Sequence, residues 1–182
     1  VYHRIVYQGN ASSSFLSLSE PDDKLLVINS SSKSFNMTGW RVGWITHPEY
    51  LGEHIAKLVQ ISTTGVPEFI QKGFIEALKN HDFLVEEVMK NLHFSRDFVY
   101  NKMKHWTKLK INKPASAFYF FFKANDAKDS VSFCKNLIKK TQVGLAPGVA
   151  FGKTGDNFLR LCFAADVKFL ENILNRLEEE FN

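Results

Sequence analysis

The stretch Ile28-Asn29-Ser30-Ser31-Ser32-Lys33-Ser34-Phe35-Asn36-Met37-Thr38-Gly39-Trp40-Arg41-Val42-Gly43-Trp44 decides how this chain is read. Just before it, Pro21, Asp22 and Asp23 mark a turn, and Leu25, Leu26, Val27 and Ile28 form a continuous apolar run. A run of that kind predicts a strand covered on both faces in a parallel sheet. It delivers the chain into a cluster of hydroxyls that holds one lysine, and α/β proteins place ligand-binding loops just beyond the carboxyl ends of strands. Arg41 follows between Gly39 and Gly43. An amine can condense with a carbonyl, hydroxyls and a guanidinium can hold a phosphate, and small residues let backbone approach; a phosphate-bearing aldehyde requires all three. Taken singly, Ser30, Ser31 and Ser32 read equally well as a solvated turn and Lys33 as an ordinary surface lysine. The joint pattern is far more specific than any of its parts.

Working outward, residues 1–7 predict a short strand, residues 9–19 a loop and residues 40–46 a second strand ended by His47 and Pro48. A helix is expected from Pro48. Phe69, Ile70, Phe74, Ile75 and Leu78 recur at helical spacing behind Pro67, the signature of an amphipathic helix. Phe83, Val85, Val88, Met89, Leu92, Phe98, Val99 and Met103 predict a long helix reaching toward Trp106, of a length that often links two domains. Past it the texture changes. Residues 108–112 and 117–123 read as a strand pair, 131–140 as a helix, and 143–151 and 158–163 as strands with Gly152 and Gly155 in the turn between them. Asp166 is a good N-cap for a terminal helix carrying Phe169, Leu170, Ile173, Leu174, Leu177 and Phe181. The domain boundary is placed near Tyr100.

At 182 residues, 45% hydrophobic and 23% charged, the composition is that of a globular protein able to bury a substantial core. The net charge of +4 arises from 23 Lys and Arg interleaved with 19 Asp and Glu, without a basic run, so no nucleic-acid partner is expected. Cys134 and Cys162 stand far apart in apolar stretches, which argues against a disulfide framework or a thiolate metal site and for a reducing cytoplasm. The six histidines show no pairing at metal-ligand spacing. No apolar run has the length of a membrane span.

The segment around Lys33 resembles the lysine signature of the class I and II aminotransferases: Ser, two residues, Lys, then Gly, Arg and Gly at defined distances. The resemblance implies that Lys33 is the catalytic Schiff-base lysine and that the cofactor is pyridoxal 5′-phosphate. Ser30 and Arg41 then hold its phosphate, and Ser32 adds a further phosphate contact. Val1 and Tyr2 resemble the tail of the family's Asp-Glu-Val-Tyr motif, whose tyrosine donates to the cofactor's ring hydroxyl; Tyr2 takes that role. The motif's aspartate would fall before residue 1. Pro147, Gly148, Val149, Ala150, Phe151 and Gly152, followed by residues 158–164, resemble the small-domain strand whose arginine receives the substrate's α-carboxylate. Arg160 is that arginine. An arginine within an apolar strand is costly unless a partner meets it, although an edge-strand arginine with a packed stem and a wet head is the plainer alternative.

The resemblance covers essentially the whole chain and implies the C-terminal half of a fold-type I enzyme. The expected fold class is α/β. Residues 1–99 would form the C-terminal part of the large cofactor-binding domain, a mostly parallel sheet with helices that includes the interdomain helix. Residues 100–182 would form a small C-terminal α+β domain. The implied activity moves an amino group between an α-amino acid and a 2-oxo acid, and family members are typically homodimers. Two other readings stay open. One is the cofactor-sensing, aminotransferase-like domain of a transcription regulator, which an upstream basic helix-turn-helix would favour; the other is an inactive remnant.

Overall fold

The computed structural model describes residues 1–9 and 12–182 and contains an α/β arrangement whose strands pair only with antiparallel neighbours. The chain divides into two units, Val1–Met89 and Lys90–Asn182.

In the first unit, β1 (Val27–Ser30) pairs with β2 (Gly43–Thr46), and the helices α1 (Gly52–Thr63) and α2 (Glu68–Lys79) follow. The register runs from Val27 opposite Thr46 to Ser30 opposite Gly43. This corrects the expectation of a mostly parallel sheet. A parallel neighbour requires a crossover that carries the chain back to the starting edge, whereas loop 31–42 turns back on itself and feeds β2 straight against β1. Nor is the apolar run covered on both faces among the described residues, since Leu26 is 51% and Ile28 66% exposed. Residues 1–7 likewise form no strand. Ile5 N–H donates to the Tyr2 carbonyl at 2.8 Å, closing a turn, and only an isolated bridge at Val6 remains. The loop expected over residues 9–19 lies outside the described residues at 10 and 11. Beyond them, Phe15–Leu18 make a 3₁₀ turn whose N-cap, the Ser14 hydroxyl, accepts from Leu16 N–H.

Phe35, Met37 and Val42 of loop 31–42 bury against Phe74 and Ala77 of α2, with Val66, Ile70 and Leu84 packed around them. Burying such side chains stabilises by about 1.5–3 kcal/mol each. The loop is therefore anchored through Phe35, Met37 and Val42, while Lys33 and Arg41 are left half-buried and exposed respectively. Phe35 meets Phe74 edge-on at 5.8 Å, and Trp44 lies 5.6 Å from the same ring. The indole of Trp40 lies against Gly73 of α2, so a Cβ there would make the ring shift.

Helix α3 (His81–Met103) carries the chain from the first unit into the second. Within the second unit its residues Leu92, Ser95, Arg96, Val99 and Met103 are buried at helical spacing. The sheet there has the order β3 (Leu109–Lys110), β4 (Tyr119–Ala124), β6 (Phe158–Cys162), β5 (Ala146–Pro147), and all its pairs are antiparallel. Alternation decides its faces. Phe120, Phe122, Leu159 and Leu161 are buried, and with them Leu170, Leu174, Leu177 and Phe181 of α5 (Val167–Phe181). The strand expected over 143–151 is only Ala146–Pro147, and Gly148–Phe151 coil into a 3₁₀ turn. Gly148 and Gly155 approach so closely that a Cβ on either would run into the other's carbonyl oxygen, which forces the chain out of the strand. Helix α4 (Ser130–Thr141) starts on Asp129, whose carboxylate accepts from Val131 N–H and Ser132 N–H.

Candidate functional site

Four of the expected cofactor residues, Ser30, Ser32, Lys33 and Arg41, stand on one loop whose ends are tied together. Ser30 faces Gly43 in the ladder; the Ser31 N–H and hydroxyl both donate to the Val42 carbonyl, at 3.2 and 2.7 Å. Both lone pairs of one oxygen thus clamp the neck of the loop. Ser31 is fully buried and Ser34 is 1% exposed, so the polar run is far from the uniformly solvated turn that its composition would allow. Phe35 N–H reaches back to the Ser31 carbonyl and Asn36 N–H to that of Lys33, winding residues 31–36 into a single turn that presents half-buried Lys33. The Ser30 hydroxyl accepts from Ser32 N–H at 3.1 Å.

Arg41 immediately precedes Val42 at the neck of the loop. Its backbone is left-handed (φ 52°, ψ 43°), a conformation that costs a non-glycine residue about 1–2 kcal/mol, and its guanidinium is exposed with Nη1 donating to the Thr38 carbonyl at 2.9 Å. Strain held in place by surrounding packing marks functional positions more often than ordinary ones. Tyr2 adjoins the loop through its neighbour, because the Ser34 hydroxyl donates to the Val1 carbonyl at 3.5 Å. Next to Tyr2, burial pushes the His3 imidazole below its usual range. A cleft of about 330 Å³ in the same unit is lined by Asp22, Asp23, His47 and Glu49 among others; Ser30, Lys33 and Arg41 are not part of it.

Arg160 belongs to the second unit. It lies on β6, which is flanked by β4 and β5 and so is no edge strand; Phe121 stands opposite it on one side and Ala146 on the other. Its half-buried side chain shares the outer face of the sheet with Tyr119 and Phe121. The guanidinium carbon sits 4.3 Å from the Tyr119 ring centroid and 4.0 Å from that of Phe151. Among the described residues no carboxylate lies within ion-pair distance of it. Of the two cysteines, Cys134 is buried and Cys162 exposed, both as free thiols.

Sequence reasoning did not single out Ser31, Ser34, Tyr119 or Phe151. The serines were hidden by equivalence, since nothing local tells Ser31 from its neighbours until Val42 is brought back to it. For Tyr119 and Phe151 a signal existed in the alternation of the aromatic run and in the glycines around Phe151.

Comparison with known proteins identifies the family. Residues 1–177 match the family model described as aminotransferase class I and II. An aspartate aminotransferase of Thermotoga maritima is 34% identical over 182 residues, covering 100% of this chain and 46% of the relative. An aromatic-amino-acid aminotransferase of Thermococcus litoralis is 31% identical, covering 98% of this chain and 46% of its own length. Among solved structures, the aromatic aminotransferase from Pyrococcus horikoshii superimposes with a TM-score of 0.90 at 31% identity over 99% of this chain and 48% of that one. The chain spans about half the length of the relatives it matches. No helix among the described residues is long and apolar enough to cross a membrane. With the family model matched over nearly its whole length, the chain belongs to the class I and II aminotransferases.

Proposed function

We propose that this chain is the lysine-bearing part of a pyridoxal-phosphate-dependent aminotransferase that moves an amino group between an α-amino acid and a 2-oxo acid, and that as a fragment it is inactive by itself. Residues 1–99 are read as the C-terminal part of the large cofactor domain with its interdomain helix, and 100–182 as the small domain. The carrying observation is the Ser31–Val42 clamp, which gathers Ser30, Lys33 and Arg41 onto one closed loop.

The residues fit pyridoxal phosphate. Lys33 offers the amine, Ser30, Ser32 and Arg41 offer hydroxyls and a guanidinium to the phosphate, and Tyr2 offers a phenol to the ring hydroxyl. When bound, the cofactor supplies an electron sink for the substrate's Cα electrons. The protein's own tasks are binding, orientation and proton transfer. Nζ of Lys33 takes the proton from Cα and returns it on the other side of the reaction. Arg160 receives the substrate's α-carboxylate. The exposed apolar side chains of the first unit, Ile28, Ile61 and Phe69 among them, and the two free thiols support a homodimer in the cytoplasm.

The test is chemical. The purified chain is mixed with pyridoxal phosphate, its visible absorbance recorded, and the adduct reduced with borohydride and mapped by peptide mass spectrometry. A visible band with the label on Lys33, both lost in Lys33→Ala, is the expected result. An unlabelled Lys33 in the wild-type chain would overturn the cofactor assignment.

A further inference from the structure

We infer that Tyr119 and Phe151 are positioning residues that hold the Arg160 guanidinium ready for a carboxylate, an inference that rests on Arg160 being the carboxylate-binding residue. A long arginine side chain has many accessible rotamers, and a receptor that must first order it loses affinity in doing so. Here two rings, at 4.3 and 4.0 Å, already confine the head group. Their quadrupoles balance the positive charge, yet they provide no oxygen to its N–H donors. Among the described residues nothing else does. The guanidinium is thus fixed in place with its hydrogen-bonding capacity unspent, and a planar anion that accepts two parallel N–H bonds matches what is left.

The surroundings of the two rings point the same way. Tyr119 is carried by β4, beside β6 in the ladder. Phe151, 48% exposed, ends the 3₁₀ turn Gly148–Phe151, and burial in a core does not explain where it sits. Its position comes from the Gly148–Gly155 approach and from the Ser130 hydroxyl, which accepts from Val149 N–H at 3.3 Å and donates to Asp156 at 3.1 Å. Phe151 also meets Phe121 edge-on at 6.0 Å.

The experiment uses the full chain labelled with ¹⁵N, titrated with 3-phenylpropionate and, separately, with the uncharged 3-phenylpropanamide, following the Nε–H resonance of Arg160. Saturable shifts with the acid and none with the amide are expected. Phe151→Leu and Tyr119→Leu should each weaken binding about 2- to 5-fold, the double variant about 10-fold, and Phe151→Tyr should restore it. Without any ligand, rotation about the Arg160 Nε–Cζ bond should be slow in the wild type and faster in the leucine variants, a change that a merely structural role would not produce. If the leucine variants bind and rotate like the wild type while Arg160→Lys loses binding, the positioning role is wrong and the carboxylate assignment survives. If acid and amide shift the resonance alike, or neither does, the carboxylate assignment falls and the positioning role falls with it.

Discussion

Arg41 offers a pair of variants that should differ in stability while losing the same ligand affinity. Its left-handed backbone costs about 1–2 kcal/mol with a side chain present and nothing with glycine, while glycine's freer unfolded chain costs about 0.4–1 kcal/mol. Arg41→Gly also removes the exposed Nη1 bond to the Thr38 carbonyl, for which about 0.5 kcal/mol is a fair allowance in solvent. The sum predicts a change for Arg41→Gly between about 0.5 kcal/mol of destabilisation and about 1 kcal/mol of stabilisation. Arg41→Ala loses the same contact but keeps the strain, so it should be roughly 0.5–1 kcal/mol less stable than the glycine variant. Both variants lose a charge-assisted contact to the phosphate, worth about 1.5–3 kcal/mol, so the affinity for pyridoxal phosphate should fall roughly 10- to 150-fold in each. Urea unfolding read by tryptophan fluorescence gives the first quantity, since Trp40 and Trp44 flank the site, and absorbance titration gives the second. An alanine variant as stable as the glycine variant would refute the strain argument, and wild-type affinity in either variant would remove Arg41 from the phosphate site.

Two further outcomes follow from the second unit. Burial alone would raise the Asp97 carboxyl, but hydrogen bonds from Lys113 and Arg96 and their charges outweigh it and hold the group below its ordinary value of 3.8. A depressed carboxyl contributes stability that is fully present above that value and is lost as pH falls through the folded-state value. Asp97→Asn should therefore cost up to about 1 kcal/mol at neutral pH, a small figure because Asp97 is 44% exposed, and the difference from wild type should shrink in urea titrations as the pH falls below the ordinary carboxylate range; a pH-independent difference would contradict the assignment. Gly148→Ala places a Cβ against the backbone carbonyls of Gly155 and Phe158, which no rotamer change can relieve, so it should cost about 3 kcal/mol and loosen Phe151 from Arg160; an unchanged melting curve would show that the approach is slack.

How much was legible beforehand depended on whether the deciding interaction was local. The helices announced themselves through periodicity and caps: Asp166 accepts from Lys168 N–H at the start of α5, and Leu170, Leu174 and Leu177 bury as their spacing requires. The loop from Ser30 to Arg41 was legible as a candidate site because amine, hydroxyls and guanidinium lie close together in sequence, and spacing within one loop survives folding. Strand direction was not. An apolar run such as Leu25 to Ile28 states that a segment favours burial, while the neighbour that pairs with it is chosen by the path of the chain between them, and here loop 31–42 returned the chain antiparallel.

The sequence by itself determined the family, the helical segments and the loop that carries Ser30, Ser32, Lys33 and Arg41, because each of these rests on residues within a few turns of one another. Only the tertiary structure decided which of the serines are structural and which face outward, since that depends on the Val42 carbonyl arriving at Ser31 from the far end of the loop. The same holds for Arg160, whose aromatic neighbours come from two other segments: Tyr119 from β4 and Phe151 from the turn that Gly148 and Gly155 draw together. Contacts between distant segments are set by packing and backbone approach, and no local composition encodes their partners.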